Sequence, residues 1–185
     1  MSENSPLPLF PLHLFLLPGE KTQLHIFEDR YKTLVNDCME GTNSFGLACN
    51  ARENTFNLGS LVRISKVLKR YPGGESDIEI VCYGLFRLKK FFYRLEEAPY
   101  PGGYVEIYRN PLFQKPIAAP SAAVQRQASL LDVAIGLQLD VADKLRFARI
   151  QDGRKQQHFV ESRKRLMALL LEQERARYED LLYLN

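Results

Sequence analysis

Residues 7–48 read LPLFPLHLFLLPGEKTQLHIFEDRYKTLVNDCMEGTNSFGLA, and the order of apolar, turn-forming and charged residues in this stretch decides the fold. The run around Leu9-Phe10-Pro11-Leu12 predicts a strand, Pro18-Gly19 a turn, and the segment up to Phe27 a second strand. After Phe27 the apolar period changes from two to 3.6. Tyr31, Leu34, Val35 and Cys38 fall at i, i+3, i+4 and i+7, which predicts one amphipathic helix. Glu28 and Asp29 put negative charge at its positive end, and Gly41 stands where a left-handed C-terminal cap is wanted.

Working outward, residues 45–109 predict a succession of strands. Ile78, Ile80 and Cys82 alternate with Glu79, Val81 and Tyr83, as in a strand with one buried face. The run from Leu61 to Tyr71 joins it through Pro72-Gly73-Gly74-Glu75-Ser76, so a hairpin is expected. Gly84 marks an expected bulge before a further strand from Leu85 to Tyr93, and Pro99 to Gly103 separate that from Tyr104 to Tyr108. Pro111, Pro116 and Pro120 bracket a connector unsuited to helix or central strand. Beyond it the pattern is helical: a segment from an N-cap at Ser121 to about Leu139, a second helix ended by Asp152-Gly153, and a third from about Gln156 to Tyr183.

The Leu9-Phe10-Pro11-Leu12 strand, the Pro18-Gly19 turn, His25-Ile26-Phe27-Glu28 followed by Arg30-Tyr31, and Phe45-Gly46 together resemble the start of the Lon protease N-terminal domain, the substrate-recognition module of an ATP-driven protease. Where that family commonly has proline this chain has Asp29, and both suit a first helical turn. The segment from Leu137 to Glu174 resembles the family's short helix, turn and long helix. The resemblance implies an α+β fold: a PUA-like β pseudo-barrel with one early helix over residues 1–110, a Pro-rich connector over 111–120, and a C-terminal α-helical bundle over 121–185.

The chain has 185 residues and 21.3 kDa, enough to bury a core without covalent staples. Its 25 Lys and Arg against 22 Asp and Glu give a net charge of +3, short of a dedicated nucleic-acid binder. Cys38, Cys49 and Cys82 contain no CxxC and suggest neither disulfide framework nor zinc site; reduced thiols in a cytoplasmic protein are expected. Ser2-Glu3-Asn4 carry no positive charge ahead of the apolar run, so no signal peptide is expected, and no segment has the length of a membrane helix.

Chemistry is sparse. There is no GxxxxGK loop, and Gly19-Glu20-Lys21-Thr22 lacks the glycines that wrap a phosphate. His13, His25 and His158 lie on different predicted elements without metal-ligand spacing. Cys38 and Cys82 fall on apolar faces, where burial blunts a thiol. No catalytic residue, cofactor or metal is expected, and the chain is read as a non-enzyme.

Two surfaces carry the functional expectations. In the loop Leu14-Phe15-Leu16-Leu17, Phe15 and Leu17 either point outward as a contact patch for unfolded chains or cover the end of the barrel. In the strand Arg87-Leu88-Lys89-Lys90-Phe91-Phe92-Tyr93-Arg94, simple alternation puts Arg87, Lys89, Phe91 and Tyr93 on one face, which suits base stacking and phosphate contact or merely protects a sheet edge. The resemblance implies a polypeptide-binding module without its own motor, with Phe15, Leu17, Phe91 and Tyr93 as contact residues and polypeptide substrates or a protease or chaperone as partners. The alternative is RNA binding through Arg87, Lys89, Phe91 and Tyr93.

Overall fold

Strand β1 (Leu7–Leu12) is followed by β2 (Lys21–Ile26), helix α1 (Asp29–Glu40), β3 (Ser44–Cys49), β4 (Leu58–Arg70), β5 (Ser76–Phe92) and β6 (Gly102–Tyr108). A 3₁₀ turn (Pro111–Phe113) and helices α2 (Leu130–Gly136), α3 (Val141–Arg149) and α4 (Gly153–Tyr183) complete the chain. This computed structural model describes residues 5–55, 57–113 and 129–183. Ser121 and most of the connector expected at 111–120 lie outside the described residues.

The strands form a six-stranded sheet in the order β2-β5-β4-β3-β1-β6, and a further β5–β6 pairing closes β5, β4, β3, β1 and β6 into a ring. β2 lies outside the ring on the first part of β5, where Lys21 to Ile26 pair with Val81 to Ser76. Closure reduces the length of free edge, which an open antiparallel sheet has to protect by other means, but leaves the outer side of β2 and part of β6 unpaired. The seam between β1 and β6 is narrow: only Leu7 with Gly103 and Pro8 with Gly102 are in register.

Alternation along each strand sends side chains to two apolar clusters. The larger takes Phe10, Phe45, Leu47, Val62, Ile78 and Ile80, together with Tyr31, Leu34, Val35 and Cys38 of α1. The Phe10 and Tyr31 rings stack with centroids 3.9 Å apart, fixing α1 against β1. The smaller cluster, on the opposite face, gathers Leu7, Leu9, Ala48, Leu61 and Phe86. Phe86 fits there because Gly46 and Gly59 lie beneath its ring; a Cβ at Gly59 would come within 2.2 Å of Phe86 Cζ.

Several local expectations are corrected. Gly41 has φ −110, and the left-handed step falls instead at Asn43 (φ 55), whose N–H reaches the Cys38 carbonyl at 2.6 Å. Asp152-Gly153 do not end a helix but start α4: the Asp152 side chain accepts from Lys155 N–H at 2.8 Å, the N-cap role open to a residue pair that also suits a stop. The bulge near Gly84 is present, yet β5 runs through it as one strand of 17 residues.

The helices pack on the ring rather than standing apart from it. Leu131, Ala134, Leu145, Phe147, Phe159 and Val160 belong to the same apolar cluster as the strand core. Asn110, buried after β6, donates to the carbonyls of Ala148 (2.9 Å) and Ile150 (2.8 Å), tying the strand end to α3. α2 starts with a reciprocal capping box between Ser129 and Asp132 and packs against α4. From Glu161 onward the described side chains of α4 are exposed, Arg163 excepted, and the helix leaves the body.

Candidate functional site

The loop Leu14-Phe15-Leu16-Leu17 is core. Phe15 and Leu17 are 0% exposed, which overturns their expected role as a contact patch. Four consecutive apolar side chains are accommodated because both sides of the loop are covered. The buried Ser60 hydroxyl donates to the Leu16 carbonyl and accepts from Leu16 N–H, both at 2.9 Å. Glu20 accepts from Leu17 N–H at 2.7 Å and pairs with Lys144 of α3 at 2.5 Å. Gly19-Glu20-Lys21 therefore serves as a clamp between loop and helix.

The strand 87–94 also departs from simple alternation. Opposite Leu88 and Lys90 on β5 stand the consecutive residues Val105 and Tyr104 of β6, so Lys89 is an extra residue that flips the strand. Phe91 consequently packs with Leu88 on the smaller cluster instead of sharing a face with Arg87 and Lys89. Tyr93 is 88% exposed and meets Phe91 edge-on at 5.1 Å. The cations have internal partners: Lys89 pairs with Glu106 at 2.6 Å, Lys90 lies 5.0 Å over Phe92, and Arg87 lies 5.8 Å over Tyr108.

Among the described residues, no group of three or more His, Cys, Asp and Glu is arranged to hold a metal ion. His25 Nδ1 lies 2.6 Å from Asp77 Oδ1, and Tyr71 donates to Asp77 at 2.8 Å; the hydrogen bonds from His25 and Tyr71 hold that carboxyl below its usual range. Burial pushes the thiols of Cys38 and Cys82 up to about 12 and that of Cys49 above its ordinary value. No described helix is long and apolar enough to cross a membrane.

Besides the outer side of β2, the fold leaves open part of one side of β6, and hollows lie beside the latter. Leu9 N–H donates to the Pro101 carbonyl at 2.9 Å, so the backbone groups of Pro101, Gly103, Val105 and Ile107 point toward the β1 side. The register with β1 ends at Gly103, and among the described residues no backbone group meets Val105 or Ile107 there. Sequence reading missed this edge because alternation within β6 does not reveal how far a neighbouring strand extends.

A hollow of about 620 Å³ lies along that edge, between β6, Pro6 to Pro8 and the end of α1. A second, of about 570 Å³, adjoins it and reaches the loop from Leu95 to Ala98; both are lined by Pro6, Asp37, Tyr100 and Tyr104. Together they form one groove. Its floor is set by Tyr100, whose hydroxyl donates to Asp37 at 2.8 Å; burial, then this bond, hold the phenol above its usual range. Ile107 (51% exposed) and Tyr104 offer apolar surface on the strand side, while Phe92 stands edge-on to Tyr104 at 5.3 Å. An unpaired strand edge beside apolar hollows can accept an extended chain through main-chain hydrogen bonds and side-chain pockets.

The family model of the substrate-binding domain of ATP-dependent protease La (Lon) matches residues 6–182 of the chain. The crystal structure of a Lon N-terminal domain protein from Xanthomonas campestris superposes with a TM-score of 0.60 at 22% identity, covering 85% of this chain and 98% of that one. The N-terminal domain of Mycobacterium avium complex Lon protease overlaps more loosely, with a TM-score of 0.43 at 14% identity over 87% of this chain and 75% of that one.

Proposed function

Because the chain belongs to the Lon protease substrate-binding domain family, we propose that it is a non-catalytic module that binds polypeptides in extended form along the open edge of β6. One observation carries the reading: the outward backbone groups of Val105 and Ile107 border an apolar groove and meet no strand among the described residues. Main-chain bonding there is indifferent to sequence, which suits a receptor for diverse unfolded segments. Phe91 lies on the strand that pairs with β6, and Tyr93 follows just beyond its end, exposed as an accessory contact. The reading takes the strand ring as the family's PUA-like pseudo-barrel and the helices beyond the connector as a bundle bracing it, supported by the β5–β6 closure and by α2 packing on α4. It assigns no reaction, and a separate protease or chaperone supplies any motor.

Fluorescence titration with an unfolded casein-like chain gives the test. Saturable binding is expected, weakened about tenfold in Ile107→Pro, which removes one outward N–H while an exposed side chain is changed. Absence of saturable binding, or an unchanged affinity in a folded Ile107→Pro, refutes it. RNA binding through Arg87, Lys89, Phe91 and Tyr93 has less support, because Lys89 is held by Glu106 and Phe91 faces away from the cations. An electrophoretic shift at low salt decides against it when no complex forms.

A further inference from the structure

The groove is not electrically neutral, and its bias runs against that of the chain. The whole sequence is +3, yet the charged side chains lining the two hollows are Asp37, Glu96, Glu97 and Arg94, three acids against one base. All four are exposed at the surface. The acids gather at one end, around Tyr100 and the Leu95–Ala98 loop, whereas the end beside Val105 and Ile107 is apolar. Lys89 is offset by its pairing with Glu106, and Lys90, which keeps its charge 5.0 Å over the Phe92 ring, still leaves three acids against two bases around the hollows.

From this division, and resting on the groove reading above, we infer that the site selects extended segments in which apolar residues stand next to an arginine or lysine. Apolar side chains fill the hollow beside Ile107, and the cation lies over the Asp37, Glu96 and Glu97 end. Strand addition supplies affinity common to all segments, and the acidic end discriminates among them, as complementary charge generally does. Acidic segments and phosphate-rich ligands are repelled from the same end.

The experiment compares two short fluorescent peptides with a shared apolar centre, one with arginine and one with glutamate at both ends, on the full chain and on the double variant Glu96→Lys, Glu97→Lys. Both positions are exposed loop residues, and circular dichroism checks that the fold is retained. The arginine peptide is expected to bind wild type about tenfold tighter at low salt, with the ratio approaching one at ~1 M salt. The double variant is expected to equalise or invert the preference. Equal binding of both peptides by wild type, with Ile107→Pro weakening both, overturns the charge inference and leaves the groove standing. A preference that survives in the double variant also overturns it. Failure of both peptides to bind, or indifference of the arginine peptide to Ile107→Pro, removes the groove reading and this inference with it.

Discussion

Two apolar runs of this chain have similar composition and opposite fates. Leu14-Phe15-Leu16-Leu17 is packed away, whereas Leu166, Met167, Leu169, Leu170 and Leu171 on α4 are all exposed by 43% or more. Hydrophobicity alone does not separate them; what surrounds them does. The loop lies between β4, which offers the Ser60 hydroxyl, and α3, which offers Lys144, so its backbone and its side chains both find partners. The α4 run begins after Arg163 has made its ion pair to Asp143 at 2.6 Å, and among the described residues no strand or helix follows it outward. A run of leucines thus becomes core only where neighbouring elements cover its side chains, and in the loop, which lacks helical hydrogen bonds of its own, those neighbours satisfy the main chain as well.

The comparison is broken most forcefully by truncation in the loop. Phe15→Ala is expected to cost about 3–5 kcal/mol, since a fully buried ring leaves a cavity between β4 and the helices. In thermal denaturation, a loss below about 1 kcal/mol would mean that the loop lifts away easily. Ser60→Ala comes next, at about 1–3 kcal/mol, because it strands the N–H of Leu16 in the interior and leaves its carbonyl only the weak Cys82 thiol donor. The same variant should label faster at Cys82, whose thiol rests 3.4 Å from the Leu16 carbonyl and is pushed up to about 12 by burial. A thiol-reactive probe that modifies Cys82 at wild-type rate in Ser60→Ala would show that the hydroxyl does not hold the loop down. Leu170→Gln on α4 stands at the other extreme and should shift stability by about 0.5 kcal/mol or less, as expected of an exposed side chain. A drop comparable to that of Phe15→Ala would show that the α4 face is covered in solution.

Much of the fold was legible wherever one element carries its own period. The stripe of Tyr31, Leu34, Val35 and Cys38 is α1, and the glycine-rich turn at 72–76 joins β4 to β5. What depends on a neighbour was not legible. The extra residue at Lys89 is defined only by the facing Tyr104 and Val105, and it moves Phe91 to the other side of the strand. The burial of Phe15 and Leu17 depends on Ser60 and Lys144, 44 and 124 residues away from Leu16 and Glu20 respectively. The groove was hidden for the same reason, being created by where the pairing between β1 and β6 stops.

That short pairing has a mechanical corollary. With Leu7 opposite Gly103, Pro8 opposite Gly102 and one further bond from Leu9 N–H to the Pro101 carbonyl, the ring is fastened by a short clasp. β1 stays anchored on its other flank by Leu9 to Leu12 on β3, so opening the clasp frees only the Leu7–Pro8 end, at the cost of exposing the buried Leu7. If the clasp opens, the exposed rail of β6 lengthens toward Gly102, and under the proposed function a longer guest strand would need only that local opening.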